Sequence, residues 1–196
     1  METVFADDLN CFREFETDTK KEIIHDRLER CQKSLHEWGH ANQVIFDSTK
    51  ESFHILHPRA SDGENFRLLG ITFDPQLTMR PACYEIAAIA AGRAKSLLKN
   101  SRYFSRSALM DQYKAQVLSC VDYTTATIYH APGFYLQSID KVQNDFISEL
   151  GLSASEALHE FNLAPLRSRR DISLLGLLHR VVLQKVPPQI AELFPK

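Results

Sequence analysis

The hydrophobic pattern divides the chain into a mixed first part and a helical second part. Thr3-Val4-Phe5-Ala6 and Leu9-Asn10-Cys11-Phe12 are short apolar runs on either side of Asp7-Asp8, which predicts a hairpin with the two acids at its turn. Ile24, Leu28, Cys31, Leu35 and Trp38 recur at steps of four and three. That spacing lays one apolar stripe along a helix of about 20 residues, with Trp38 expected in the core. Thr19 and Glu22 form a capping-box pattern at its start, Asp18 is also available there, and Gly39 is the expected stop. Val44-Ile45-Phe46 and Ser52-Phe53-His54-Ile55-Leu56 predict a strand pair around the turn Asp47-Ser48-Thr49. A polar loop from Pro58 to Asn65 leads to Phe66-Arg67-Leu68-Leu69-Gly70-Ile71-Thr72-Phe73, which predicts one further strand ended by Asp74-Pro75.

After Pro81 the period changes. Helices are predicted from Tyr84 to Asn100, from Ser105 to Cys120 and from Gly133 to Leu150. A short fourth is capped by Ser153 with Glu156. A fifth, capped by Ser168, sends Ile172, Leu175, Leu178 and Val182 to one side and ends before Pro187-Pro188. The fold class is therefore α+β, with antiparallel strands and one packed helix over residues 1–80 and an all-helical region over 81–196. The first hairpin has no partner strand before it in this sequence, so its sheet is expected to be truncated. There is no internal repeat and no low-complexity tract.

Composition narrows the class of protein. Hydrophobic residues make up 44% and charged residues 24%, ordinary values for a globular chain, and no apolar run reaches the ~20 residues of a membrane span. Met1 to Asn10 carry acids and no basic leader segment, so an intracellular protein is expected. Cys11, Cys31, Cys83 and Cys120 are too irregularly spaced for a zinc site or a disulfide scaffold, and reduced, mostly buried thiols are expected. His36 with His40 and His54 with His57 lack a third ligand at matching spacing and read as surface histidines.

Net charge is −2, but its distribution is uneven. Residues 1–80 carry 10 basic and 15 acidic side chains, and residues 81–196 carry 13 and 10. Arg93, Lys95, Lys99, Arg102, Arg106 and Lys114 face only Asp111 within their stretch, interleaved with Tyr103, Phe104 and Tyr113. This is a candidate phosphate-and-stacking surface. A solvated helix face with the aromatics in the core accounts for the same residues.

The candidate chemistry lies at Asp7-Asp8. Two adjacent carboxylates on a tight turn, after an aromatic and a small residue, converge where a divalent cation can bind. Phe5-Ala6-Asp7-Asp8 resembles the aromatic-x-Asp-Asp motif of reverse transcriptases. The residues C-terminal to it are similar, in the same order, to the palm of a non-LTR retrotransposon polymerase. A long helix ends Leu35-His36-Glu37-Trp38, Asn42 precedes the apolar run at 44–46, and Asp47-Ser48-Thr49-Lys50-Glu51-Ser52 comes next. Leu68-Leu69-Gly70-Ile71 is similar to the Leu-Gly primer grip, and Leu163-Ala164-Pro165-Leu166 with Arg169-Arg170 to the segment after the thumb. The resemblance covers nearly the whole chain. Phe5 stands where the family usually has tyrosine.

The resemblance implies a truncated palm followed by a thumb and post-thumb region of an RNA-directed DNA polymerase using Mg²⁺, an RNA template, a DNA primer and deoxynucleotides. Asp7 would hold metal, with Asp8 supporting it. Lys50 would lie near the phosphates of the incoming nucleotide. Leu69, Gly70 and Ile71 would support the primer end. A missing side chain at Gly70 suits close backbone approach, and a simple bulge suits it equally. A lysine after a turn is more commonly a solvated charge. The family's upstream palm aspartate and its fingers are not among these residues, so the chain is expected to be inactive alone. A nuclear location is implied if the parent element is active. A non-catalytic nucleic-acid-binding module and a structural remnant without ligand are the alternatives.

Overall fold

The computed structural model describes residues 2–5, 8–59 and 63–194, with side chains described from residue 9 onward. The chain is α+β, mostly helical, and divides into two compact units, Met1–Phe53 and His54–Lys196. Among the described residues no helix is long and apolar enough to cross a membrane.

In the first unit β1 (Glu2–Phe5) and β2 (Asp8–Cys11) pair antiparallel, Glu2 opposite Cys11 and Phe5 opposite Asp8. The hairpin is present, but its ladder extends through Asp8, so the second acid is a strand residue and not part of the turn. Helix α1 (Lys21–Ala41) buries Ile24 and Gly39 and half-buries Leu28, Cys31 and Leu35 between them. The predicted stripe is thus in place, with two corrections at its ends. No side chain caps the start, which lies at Lys20, so the Thr19–Glu22 box does not form. Trp38 is 54% exposed, because the stripe of a straight helix drifts from Leu35 to Gly39 and leaves position 38 to one side.

Gly39 does not stop the helix. The stop is Gln43, in the left-handed conformation at φ 60°, with Val44 N–H donating to Gly39 O (2.8 Å) and Gln43 N–H to His40 O (3.4 Å). This Schellman closure turns residues 44–46 back along the helix. A Cβ at Gly39 would lie 2.7 Å from both Phe46 Cε2 and Val44 O. Gly39 is therefore the gap into which the returning chain fits. The predicted strands 44–46 and 52–56 are absent. Ile45 is almost fully exposed, Phe46 packs on α1 and finds no sheet partner, and this stretch is irregular.

The second unit begins with a tight hairpin, β3 (Phe66–Leu68) and β4 (Ile71–Phe73), where one continuous strand was expected. Its connection to α2 (Arg80–Lys99) is held by Asp74, whose carboxylate accepts from Thr78 N (2.9 Å) and Met79 N (2.8 Å). Met79, left-handed and fully buried, precedes Arg80-Pro81, the proline having no N–H to leave unpaired at a helix start. Composition changes near residue 80, but the hairpin belongs with the helices, because Ile71 and Met79 are part of their core.

Helix α2 buries Ala82, Cys83, Ile86, Ala90, Ala94 and Leu97 on one face and packs most extensively against α5 (Gly133–Glu149). After a 3-10 turn (Ser101–Tyr103), Ser105 caps α3 (Arg106–Tyr113), which continues through a π-helical turn (Lys114–Leu118) into α4 (Ser119–Ile128). The helical run is longer than expected; within it the hydroxyls of Thr124 and Thr125, both buried, are satisfied by bonding back to Val121 O. Tyr113 stacks on Phe146 of α5 at 4.3 Å in the middle of the core. Ser153 and Glu156 form the expected capping box on α6 (Ala154–Phe161). Helix α7 (Leu166–Val182) has Pro165 at its N-cap position, three residues before the expected Ser168 cap, and a short α8 (Pro188–Ala191) comes last. None of the four cysteines is in a disulfide; only Cys83 is buried, which pushes its thiol up to about 11, and Cys11 is exposed.

Replacing Gly39 by alanine is expected to destabilise the first unit by about 1–3 kcal/mol through overpacking. The denaturant midpoint of the fluorescence of Trp38, the sole tryptophan, measures it. An unchanged midpoint would show that the returning segment does not need this approach.

Candidate nucleic-acid interface

Three of the sequence candidates belong to the first unit. Asp7 lies outside the described residues, and Asp8 opens β2 opposite Phe5. Paired carboxylates are hard oxygen donors suited to Mg²⁺. Among the described residues no three His, Cys, Asp or Glu side chains converge as a metal site. Lys50 closes a turn, its N–H donating to Asp47 O at 3.0 Å. The Asp47 carboxylate accepts from Thr49 Oγ1 (2.6 Å) and Thr49 N (3.0 Å), and these bonds hold it below the usual carboxylate range. Lys50 Nζ is 3.8 Å from Asp47 Oδ2 and its side chain is 84% exposed, so the ammonium projects from a locally stiffened loop. The next residue, Glu51, is clasped to α1 by Gln32 Nε2 and by His36 Nε2, the latter at 2.8 Å. These two partners lower its pKa, Gln32 first.

The primer-grip candidates form the tip of the β3–β4 hairpin in the second unit. Leu69 and Gly70 both have positive φ, 48° and 81°, as a mirror-image two-residue hairpin turn requires. Gly70 is thus a turn residue and not a bulge; a Cβ there would meet nothing within 4 Å. A leucine in the left-handed region costs about 1 kcal/mol or more. The turn has a tertiary support: Tyr123 of α4 donates its hydroxyl to Leu69 O at 3.1 Å. Lower on the hairpin, Thr72 Oγ1 donates to Glu85 of α2 at 2.7 Å. Leu69 is 40% exposed whereas Ile71 is buried, so Ile71 anchors the tip and does not reach a ligand.

The six basic candidates separate into two groups. Arg93 Nη1 donates to Gln116 O (2.6 Å), tying α2 to the π-helical turn. Lys114 is half-buried at the start of that turn, and Arg106 lies close enough to Glu156 to help hold its carboxyl low, behind the stronger effect of its bonds to Ser153. Lys95, Lys99 and Arg102 are exposed, as Arg93 and Arg106 are, but make no hydrogen bond or ion pair among the described residues. The two lysines are one helical turn apart on α2, and Arg102 lies 4.6 Å from the Tyr103 ring centroid at the corner beyond it. Exposed Tyr103 and Phe104 flank them, while Tyr113 is core, so the core reading of these aromatics holds for Tyr113 alone. The corner can offer cations and π-faces together, and the same charges complement the C-terminal end of α2.

The sequence pattern does not disclose Tyr123 or the ties of α7. Arg169 makes a two-pronged pair with Asp122 (2.5 and 3.3 Å), and buried Arg170 another with Asp140 (2.7 and 2.9 Å). Their partners are 47 and 30 residues away, a separation no local pattern reveals. Comparison of the chain with protein-family models, with curated proteins and with solved structures finds no match.

Glu51 supplies a pH test. Its folded pKa lies below the ordinary 4.5, so its contribution to stability is complete above pH 4.5 and is lost as pH falls through the folded value. Glu51→Gln is expected to lose less of the Trp38 unfolding midpoint than the wild type between about pH 6 and pH 3. Equal losses would place the acid sensitivity elsewhere.

Proposed function

We propose that this chain is the C-terminal part of the palm, with thumb and post-thumb helices, of an RNA-directed DNA polymerase of the non-LTR retrotransposon kind. The supporting observation is the order of its parts. A hairpin carries the Phe5-Ala6-Asp7-Asp8 motif, and after it come a long helix and a stiff turn ending at Lys50. A tight hairpin then carries Leu69-Gly70, and a helical bundle carries a cationic corner. Mg²⁺ held by Asp7, with Asp8 in support, would activate a 3′-hydroxyl and offset charge on the leaving pyrophosphate. Lys50 would lie by the nucleotide phosphates, the Leu69–Gly70 tip by the primer end, and Lys95, Lys99 and Arg102 along the duplex backbone.

In this family nucleotidyl transfer takes a further palm aspartate and the fingers, which these 196 residues do not supply. The isolated chain is therefore expected to give no product in a primer-extension assay with Mg²⁺, an RNA template and a DNA primer. Robust DNA synthesis would overturn this part of the proposal.

Binding is the activity expected to remain. Affinity for an RNA–DNA primer–template should fall steeply with salt, and Lys95→Ala, Lys99→Ala and Arg102→Ala should each lower the slope of log affinity against log salt by about one. Arg93→Ala should leave the slope unchanged, since its guanidinium is already engaged by Gln116. Salt-insensitive binding, or none at low salt, would remove the interface. A second reading, a nucleic-acid-binding module without catalytic ancestry, draws on the fact that hairpin tip and cationic corner share one compact unit. It requires binding that is indifferent to Mg²⁺ and to Asp7→Asn.

A further inference from the structure

The Leu69–Gly70 turn combines three properties. Its first residue is a leucine at φ 48°, in a position that asparagine, aspartate or glycine normally fills. Its tip is open: Gly70 has nothing within 4 Å of where a Cβ would stand. Its conformation is held from a distance, by the Tyr123 hydroxyl on Leu69 O, across 54 residues of sequence. The tyrosine is engaged at that end while its ring is left 65% exposed beside the turn. Meanwhile Ile71 in the core and Thr72 on Glu85 already fix the base of the hairpin. The tyrosine bond is therefore not needed to dock the hairpin; it acts on the tip.

We infer that Tyr123 is a positioning residue, holding the Leu69–Gly70 tip in its left-handed turn so that the bare Gly70 backbone and the exposed tyrosine ring receive the terminal nucleotide of a recessed DNA strand. This rests on the proposed function, in which the tip faces a primer end. The chemistry is that of a strand terminus. The tip carries no positive side chain of its own: Leu69 is apolar and Gly70 bare, so its contribution is shape and stacking and not phosphate charge. A residue that stores local strain at an exposed tip, supported by a distant hydroxyl, fits a contact that must be pre-shaped before the ligand arrives.

The test uses the whole chain, an RNA–DNA hybrid with a recessed 3′ end, and a blunt hybrid of equal length. Wild type should prefer the recessed end. Tyr123→Phe removes the hydroxyl and keeps the ring. It should weaken binding to the recessed hybrid about 2- to 10-fold, the effect of one net hydrogen bond, and narrow the preference. Its salt slope should stay that of wild type, because no phosphate contact is lost. Hydrogen exchange at the Ile71 amide, which closes the turn against Leu68, should quicken, with the global unfolding midpoint little changed. The double variant Tyr123→Phe with Leu69→Asn should recover affinity, since asparagine adopts the left-handed turn without the tether. Unchanged affinity and exchange in Tyr123→Phe would overturn the inference while leaving nucleic-acid binding intact. A lowered salt slope, or failure of the double variant to recover, would also overturn it by making Tyr123 a phosphate contact or a general support. No binding of either hybrid by the wild-type chain would instead sink the proposed function, and this inference with it.

Discussion

The second unit depends on how closely α5 can approach α2. Ala82, Cys83, Ala90 and Ala94 make the contact face of α2 shallow, and Ile139 and Phe146 of α5 fill it. Small residues on one helix against large ones on the other give dense packing without off-rotamer side chains. The hairpin and the cationic corner are placed by α2 in turn. The β3–β4 hairpin sits at the N-terminal end of α2, through Ile71, Met79 and the Thr72–Glu85 bond. The cationic corner caps the C-terminal end, and the π-helical turn is drawn onto the flank by Arg93. One enlarged alanine on this face would move the hairpin, the corner and the tyrosine support together.

Helix existence was legible where a strong local signal agreed with packing. The α1 stripe, the Ser153–Glu156 box and the Gly133 start all belong to this class, whereas α2 begins at Arg80, four residues before the expected Tyr84. What was not legible was decided by distant or backbone-level partners. Gly39 resembles a helix stop in sequence, yet its role is to admit Phe46, and a glutamine adopts the left-handed closing conformation. Leu69-Gly70 has none of the asparagine or aspartate that announces a two-residue turn, so an eight-residue apolar run read as one strand. Val44-Ile45-Phe46 has strand-like composition, but only Phe46 finds a surface to cover. Of the site residues, exposure of Lys50 and of the Lys95–Lys99–Arg102 group is expected from residue type. The engagement of Arg93 with a carbonyl 23 residues on is not.

Helix α7 is held by charged groups as well as by apolar ones. Its inward side is held by Leu166 and by the two arginine–carboxylate forks, and Tyr129 adds a bond to Asp171. Ile172, Leu175 and Val182 instead point outward, the reverse of what an apolar stripe of this spacing suggests. Two forks fix both the azimuth and the height of a helix, because each demands a planar match. The orientation of α7 is thus set by directional contacts together with Leu166 and the half-buried Leu174, Leu177, Leu178 and Val181, while Ile172, Leu175 and Val182 remain exposed.

The length of α2 sets a distance. Glu85, which anchors the hairpin, and Lys99, in the cationic corner, are fourteen residues apart on the same helix. At about 1.5 Å per residue that is roughly 21 Å along the axis. With one base-pair step per ~3.4 Å of duplex, this distance corresponds to about six steps. A nucleic acid that touched the turn with its end and the corner with its flank could not be shorter than that. Under the proposed function the bundle would serve as a ruler with two marks on one helix, and a short oligonucleotide would register at one mark only.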